Sequence, residues 1–353
     1  MNPFPILVVS AVAAALASWL GVGWLIRVAG RRWVDVPNPR SSHTRPTPRG
    51  GGLAIVAVTL LGCILAALFS DLFTSETSFS TSAASTLLST AGLVVAVSWL
   101  DDVRSLPPLL RLGAHLLAAG LLVAVIGAGP ILTVSAEHPV IIRYLAASFG
   151  LLWLVALTNV YNFMDGIDGI AGLQAGIAGL SWAFFGGWIE EPMILWLGLL
   201  IAASSFGFLL HNWPPARIFM GDVGSAFLGF CFAALALIGS TTEPRLFPAG
   251  ALVVWPFLAD GTFTLLRRLS KRENIFAAHR SHLYQRLVIA GKSHRFVTML
   301  YGGLALAGGV VPAVLWVMRF AGSEITVVLL PLSLFLLLWA FTVRQERKPA
   351  AGR

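Results

Sequence analysis

The chain is poor in charge. Of its 353 residues only 16 are Asp or Glu and 24 are Lys or Arg, so charged side chains make up 11% of it, against roughly 25% in soluble domains. That scarcity excludes an ordinary cytosolic enzyme and a disordered regulator, both of which rely on solvated surface. It excludes a nucleic-acid-binding domain as well, whose basic residues would lie on a folded polar surface rather than between apolar runs. Cysteine is nearly missing. Cys63 and Cys231 both sit inside apolar runs, which leaves no disulfide framework and no thiolate metal site. What is abundant is hydrophobic residue, 57% of the chain, with a mean hydropathy of +0.82. The sequence therefore reads as an all-α, polytopic membrane protein, a single integral-membrane domain over residues 1–353.

Apolar runs of about 17 to 25 residues can cross a bilayer as helices. Eleven are found: Ile6–Val28, Gly52–Phe69, Ser85–Leu100, Leu109–Ile126, Val140–Thr158, Ile170–Ile189, Pro192–Leu210, Ser225–Ile238, Leu246–Leu266, Phe296–Met318 and Ile325–Val343. The third and eighth are short and the sixth and seventh nearly touch, so ten spans is the alternative. No basic residue precedes the first run, while Arg27, Arg31 and Arg32 follow it, as in a retained span with an outside N-terminus rather than a cleaved signal. With this count, 21 of the 24 Lys and Arg fall in the odd loops and C-terminal tail, leaving Arg143, Arg245 and Arg319 opposite. Such asymmetry marks the odd loops as cytoplasmic. The Ser/Thr-rich Thr74–Thr86 is then a plain external loop.

Five polar segments fall on the cytoplasmic side: RRWVDVPNPRSSHTRPTPRGGG, DDVRSLPP, NVYNFMDGIDG, HNWPPARIFMGDVGS and RRLSKRENIFAAHRSHLYQRL. They hold His43, His211, His279 and His282, and Asp35, Asp101, Asp102, Asp165, Asp168 and Asp222, with His294 on the same side. Asp101 and Asp102 end an apolar span, where a carboxylate is costly unless paired, solvated or metal-bound. Adjacent helical residues diverge by about 100°, so both serve one site only if the helix end frays; a solvated pair is the plain alternative. Asn159, Asn162, Asp165 and Asp168 recur every third residue, which spreads them over half a helix circumference. Gly166 and Gly169 would let the helix unwind there and the four converge. Asp222, between Gly221 and Gly224, opens a helix as an ordinary cap would. It also lies at the same boundary as the other acids, and hard oxygen ligands from separate loops suit magnesium on substrate phosphates. His279, His282 and Arg286, at i, i+3 and i+7, would share one face of a short basic helix suited to phosphate. Zinc is disfavoured there because no cysteine is near. These residues point to phosphoryl transfer between a lipid phosphate and a phosphate-bearing donor.

DVPNPRSSHTRPTPRGGG, Asp101/Asp102, NVYNFMDGIDG, FMGDVGS and HRSHLYQR occur in the order expected of the polyprenyl-phosphate N-acetylhexosamine-1-phosphate transferases, and over Asp35–Arg286 the chain resembles that family. The resemblance implies a bacterial inner-membrane enzyme with periplasmic N-terminus and cytoplasmic active site and C-terminus. Its substrates would be undecaprenyl phosphate and a UDP-N-acetyl sugar, its product a diphosphate-linked sugar, its leaving group UMP, and its metal Mg2+, with Mn2+ as a substitute. By motif, Asp222 resembles the principal metal ligand. Asp101 and Asp102 resemble the pair that binds metal or accepts the lipid phosphate proton. Asn162, Asp165 and Asp168, with Asn159 on the same ladder, resemble the nucleotide and metal face. Asn212 and Arg45 stand as uridine contacts, and His279, His282 and Arg286 as phosphate holders. Asp260 matches in position but carries no assigned role. His279-Arg280-Ser281-His282 replaces three consecutive histidines of the muramoyl-pentapeptide branch, a departure similar to the O-antigen and enterobacterial-common-antigen branch, whose donors include UDP-GlcNAc and 6-deoxy relatives such as UDP-FucNAc or UDP-QuiNAc. A homodimer is compatible with this reading. The muramoyl-pentapeptide transferase remains the alternative within the family. A transporter would carry its polar residues near the midplane, and a CDP-alcohol phosphotransferase would need Ala and Arg after Asp168-Gly169, where Ile170, Ala171 and Gly172 stand.

Overall fold

The computed structural model describes residues 4–29, 33–37, 45–68, 81–127, 138–274, 277 and 279–347. Every apolar run is helical: α1 (Phe4–Ala29), α2 (Gly52–Leu68), α3 (Thr81–Arg104), α4 (Pro108–Ile126), α5 (Val140–Met164), α6 (Ile170–Trp188), α7 (Pro192–Asn212), α8 (Asp222–Thr242), α9 (Leu246–Val253), α10 (Trp255–Ser270), α12 (His294–Ala305), α13 (Val311–Val317) and α14 (Ser323–Glu346), with the short α11 (Leu283–Ile289) between α10 and α12. Among the described residues nine spans are long and apolar enough to cross a bilayer, counting α12 with α13 as one. The bent pair α9–α10, broken by 75°, makes a tenth. The 17-residue α2 accounts for the eleventh run. The third and eighth runs, short by composition, extend to 24 and 21 residues because Thr, Ser and Asp continue the helix past the apolar stretch. Helix α3 therefore takes in part of the stretch read as a loop; residues 74–80, like His43, lie outside the described residues. Between α12 and α13 the span passes through a π-helical turn, Leu306–Val310.

Helix α8 is the axis. Its apolar window is buried all round, whereas α1 and α14 bury only 17% and 11% of theirs. A helix that is hydrophobic on every side belongs in the middle of such a bundle. Close approach to α8 depends on glycine: a Cβ at Gly52 would lie 2.4 Å from Gly224 Cα.

The first polar loop reaches the start of α8 through backbone pairing. Val34–Asp35 and Thr47–Pro48 form a two-stranded antiparallel ribbon. The chain after it bonds to the segment before α8, with Phe219 N donating to Pro48 O at 2.8 Å, and Gly51 N and Gly52 N donating to Phe219 O and Met220 O, each at 2.9 Å. The sheet-like clasp places Arg49 beside the N-terminus of α8.

Candidate active site

Four of the polar segments meet around the N-terminus of α8, and the fifth closes over it. Asp102 accepts from Asp222 N at 3.1 Å and Val223 N at 3.0 Å. It thus caps α8 from another helix and satisfies two donors that a helix start leaves without partners. Asp101 turns the other way, accepting from Leu106 N at 2.6 Å and from Arg111 Nη1 at 2.6 Å. Helix α3 runs unfrayed through both residues to Arg104, so the pair does not share one ligand; the 100° step between neighbours keeps the two carboxylates apart.

Arg111 bridges. Its Nη1 also lies 3.2 Å from Asp222 Oδ2, so one guanidinium holds Asp101 and Asp222 together. Arg49 approaches from the clasp, 3.3 Å from Asp35 and 3.8 Å from Asp102. Burial works against the charge of Arg49, but the pull of Asp35, Asp102 and Asp222 outweighs it and raises its pKa. Sequence reading counted Arg49 and Arg111 only as topology charges, because nothing local shows that they face carboxylates 10 to 111 residues away.

The amide and acid ladder splits. Helix α5 ends at Met164, and Gly169 at φ +79° begins α6, as the glycines suggested. Asn162 donates to Ser225 Oγ at 3.0 Å, and Asn159 to Val155 O at 2.7 Å, with His115 Nδ1 at 3.3 Å. Asp165 lies within electrostatic reach of Asp222 and Asp102, and burial together with those two charges pushes its carboxyl well above the usual range. Asp168 does not converge with them. It accepts from Ala216 N at 3.0 Å and pairs with His294 Nδ1 at 3.3 Å, because the turn at Gly166–Gly169 carries it around the end of the helix. Asn212 is buried, accepting from Gly169 N at 2.9 Å and donating to Ile218 O at 2.8 Å; its amide braces two loops.

His279 and His282 precede α11 rather than riding on one of its faces. Their ring centroids are 5.1 Å apart, and His282 is the N-cap. Arg286 leaves the group: its Nε and Nη2 both donate to Glu346 at 2.7 Å. Arg45 is exposed, and the only contact recorded for it among the described residues is its carbonyl accepting from Thr47 Oγ1. Neither arginine lines the cavity described next.

That cavity, about 490 Å³, joins the two halves of the site. Its polar lining is Arg111, Asn159, Asn162, Asp222, His279 and His282, with His115 among them. Leu109, Leu112, Phe163 and Leu265 contribute apolar wall. Leu109 and Phe163, 78% and 55% exposed, carry that wall out to the bundle's perimeter. Its volume falls within the range of small-molecule sites. Among the described residues no three His, Cys, Asp or Glu side chains form a metal-ligand group. Asp222 and Asp165 are two carboxylates, and two suffice for a magnesium ion that shares substrate phosphates; the all-oxygen donor set fits such an ion.

The model of glycosyl transferase family 4 matches residues 84–240, from the start of α3 through Asp101, Asp102, the ladder and Asp222. The probable undecaprenyl-phosphate N-acetylglucosaminyl 1-phosphate transferase of Bacillus subtilis is 32% identical over 282 residues, covering 76% of this chain and 73% of that protein. The decaprenyl-phosphate N-acetylglucosaminephosphotransferase of Mycolicibacterium smegmatis is 29% identical over 82% of this chain and 77% of its own. The phospho-N-acetylmuramoyl-pentapeptide-transferase of Frankia alni is 32% identical over 70% and 79%. With ordered motifs, helical bundle and relatives in agreement, the chain belongs to glycosyl transferase family 4.

Proposed function

We propose that the protein transfers a sugar-1-phosphate from a UDP-N-acetyl sugar to undecaprenyl phosphate, releasing UMP and leaving a diphosphate-linked sugar that initiates a cell-envelope polysaccharide such as O-antigen. One observation carries the reading: a single cavity is lined both by carboxylate, guanidinium, amide and imidazole groups and by apolar side chains, of which Leu109 and Phe163 are exposed at the bundle's perimeter. An amphiphile with a phosphate head and a hydrocarbon tail matches both linings. The relatives' names say that they act on polyprenyl phosphates.

The reaction joins two anions, so the barrier is chiefly electrostatic. A lipid phosphate oxygen attacks the sugar-bearing phosphorus; the new P–O bond forms as the bond to the bridging oxygen breaks, and UMP leaves with that oxygen. Arg111 and the two histidines present donors where negative charge accumulates, which in a water-poor pocket is worth far more than in bulk solvent. Asp222 faces the cavity and, with Asp165, is the pair that would hold Mg2+, which supplies charge neutralisation on the pyrophosphate. Protein donors already occupy Asp101 and Asp102. We assign them to holding Arg111 and the start of α8 rather than to taking a proton.

N-acetylglucosamine or a 6-deoxy relative is favoured over the muramoyl-pentapeptide donor by the histidine loop, where Ser281 stands 2.9 Å from His279 Nδ1 in place of a further imidazole. The charge asymmetry supports placing the site on the cytoplasmic face, and the bacterial inner membrane is the setting that the family resemblance implies. Incubating membranes with radiolabelled UDP-N-acetyl sugars and extracting lipid tests the reading. Label should enter the lipid phase from a UDP-N-acetyl sugar and depend on undecaprenyl phosphate; label retained in the aqueous phase for every donor would defeat it.

A further inference from the structure

Asp260, in the middle of α10, is fully buried and lines no part of the cavity. A carboxylate in such a place is costly unless donors surround it. Five do. Oδ1 accepts from Leu283 N at 2.8 Å, Thr264 Oγ1 at 3.1 Å and His282 Nδ1 at 3.3 Å. Oδ2 accepts from Tyr284 N at 3.1 Å and from the Tyr301 hydroxyl at 2.5 Å. Two of the five are the first backbone N–H groups of α11, so Asp260 caps that helix from outside, much as Asp102 caps α8.

The oxygen that takes Leu283 N also takes the imidazole. One atom therefore sets both where α11 begins and how the His282 ring is turned. With Nδ1–H given to a carboxylate, the tautomer is fixed and Nε2 is left as the nitrogen for the cavity that His282 lines. Two rings also contact it, a tilted His279 at 5.1 Å and a stacked Tyr284 at 5.7 Å between centroids.

We infer that Asp260 is a positioning residue for phosphoryl transfer, presenting His282 Nε2 to the substrate phosphates through the His282 Nδ1–Asp260 Oδ1 contact. What His282 then does rests on the function proposed above; the geometry does not. Asparagine, of the same shape, cannot replace Asp260. In either amide orientation its NH2 faces a backbone N–H, that of Leu283 or that of Tyr284, and two donors cannot pair.

Two readouts on the purified full-length protein test this. Hydrogen–deuterium exchange at the imidazole C2 position reports each histidine's surroundings, and trypsin, cutting after Arg280 and Arg286, isolates Ser281–Arg286 with His282 as its one histidine. Asp260→Asn should change the His282 rate several-fold while His115 and His211 keep theirs. Sugar-phosphate transfer should fall roughly 10–100-fold, the usual range for an outer carboxylate behind a working histidine. Asp260→Asn added to His282→Gln should cost no more than His282→Gln alone. An unchanged His282 rate, or losses that multiply in the double variant, would overturn the inference. Should Asp260→Asn not accumulate as monodisperse protein, Tyr301→Phe decides: it keeps the carboxylate but removes one donor, and should shift the His282 rate by a smaller factor. No shift there overturns the inference equally. A wild-type protein inert toward every UDP sugar, with the His282 response intact, would defeat the transfer reading alone.

Discussion

Asp102 and Asp222, 120 residues apart in sequence, meet at one helix terminus: both oxygens of Asp102 accept from the backbone of α8, at Asp222 N and Val223 N. The carboxylate of Asp222 is left to face Arg111 and the cavity. Losing a helix cap costs about 0.5–2 kcal/mol. Asp102→Ala should therefore lower the apparent Tm of the detergent-solubilised protein, while Asp102→Asn, which keeps one acceptor oxygen, should lower it less. Equal Tm values for wild type and Asp102→Ala would show that the contact does not hold the helix start.

Arg111 reaches two carboxylates through one nitrogen, Nη1, so a lysine ammonium on its flexible stem stands in only as far as it brings Nζ to that point. Arg111→Met should reduce kcat by about 10²–10³, the usual loss for one transition-state donor. Arg111→Lys should recover part of that activity without restoring it. Full activity in Arg111→Met would remove the guanidinium from the mechanism.

Arg286, assigned to substrate phosphate by sequence, is held by Glu346 through two 2.7 Å bonds and lines no part of the cavity. Arg286→Ala should therefore leave the KM for the UDP-sugar within about twofold, since its guanidinium is taken up by Glu346 away from the cavity wall. His279→Ala should change kcat far more. A large KM effect from Arg286→Ala would return that residue to the site.

Gly52 packs where no side chain fits, with Gly224 Cα 2.4 Å from any added Cβ, whereas nothing lies within 4 Å of a Cβ at Gly113. Gly52→Ala should destabilise by about 1–3 kcal/mol, as overpacking does, and move the loop that carries Arg49. Gly113→Ala, in the open middle of α4, should be neutral or mildly stabilising. Equal thermal stability of the two variants would contradict the packing described.

The spans were legible because each apolar run is long and the basic residues fall on one side; both are local properties that a bilayer enforces. Asp222, Asp165 and Asn162 were legible for a related reason, since polar residues at a membrane boundary are expensive and must have partners. Asp168 was expected to join them once the helix unwound; the helix does end at Met164, but the turn that follows carries Asp168 to Ala216 N and His294. Arg286 was misplaced because a helical face was assumed where α11 starts four residues after His279. Arg111, Arg49 and Asp260 went unassigned because their partners lie tens of residues away, and no periodicity encodes a contact between separate spans.

In the proposed transfer the phosphate nearest the sugar moves with it. The direct measurement is a single reaction of purified protein, undecaprenyl phosphate, Mg2+ and UDP-N-acetylglucosamine labelled with ³²P at the sugar-bearing phosphorus. Transfer of the sugar-1-phosphate should put ³²P in the lipid extract, matched mole for mole by UMP in the aqueous phase, and Asp222→Asn should lose both. Recovery of ³²P as UDP, with only the sugar on the lipid, would contradict it.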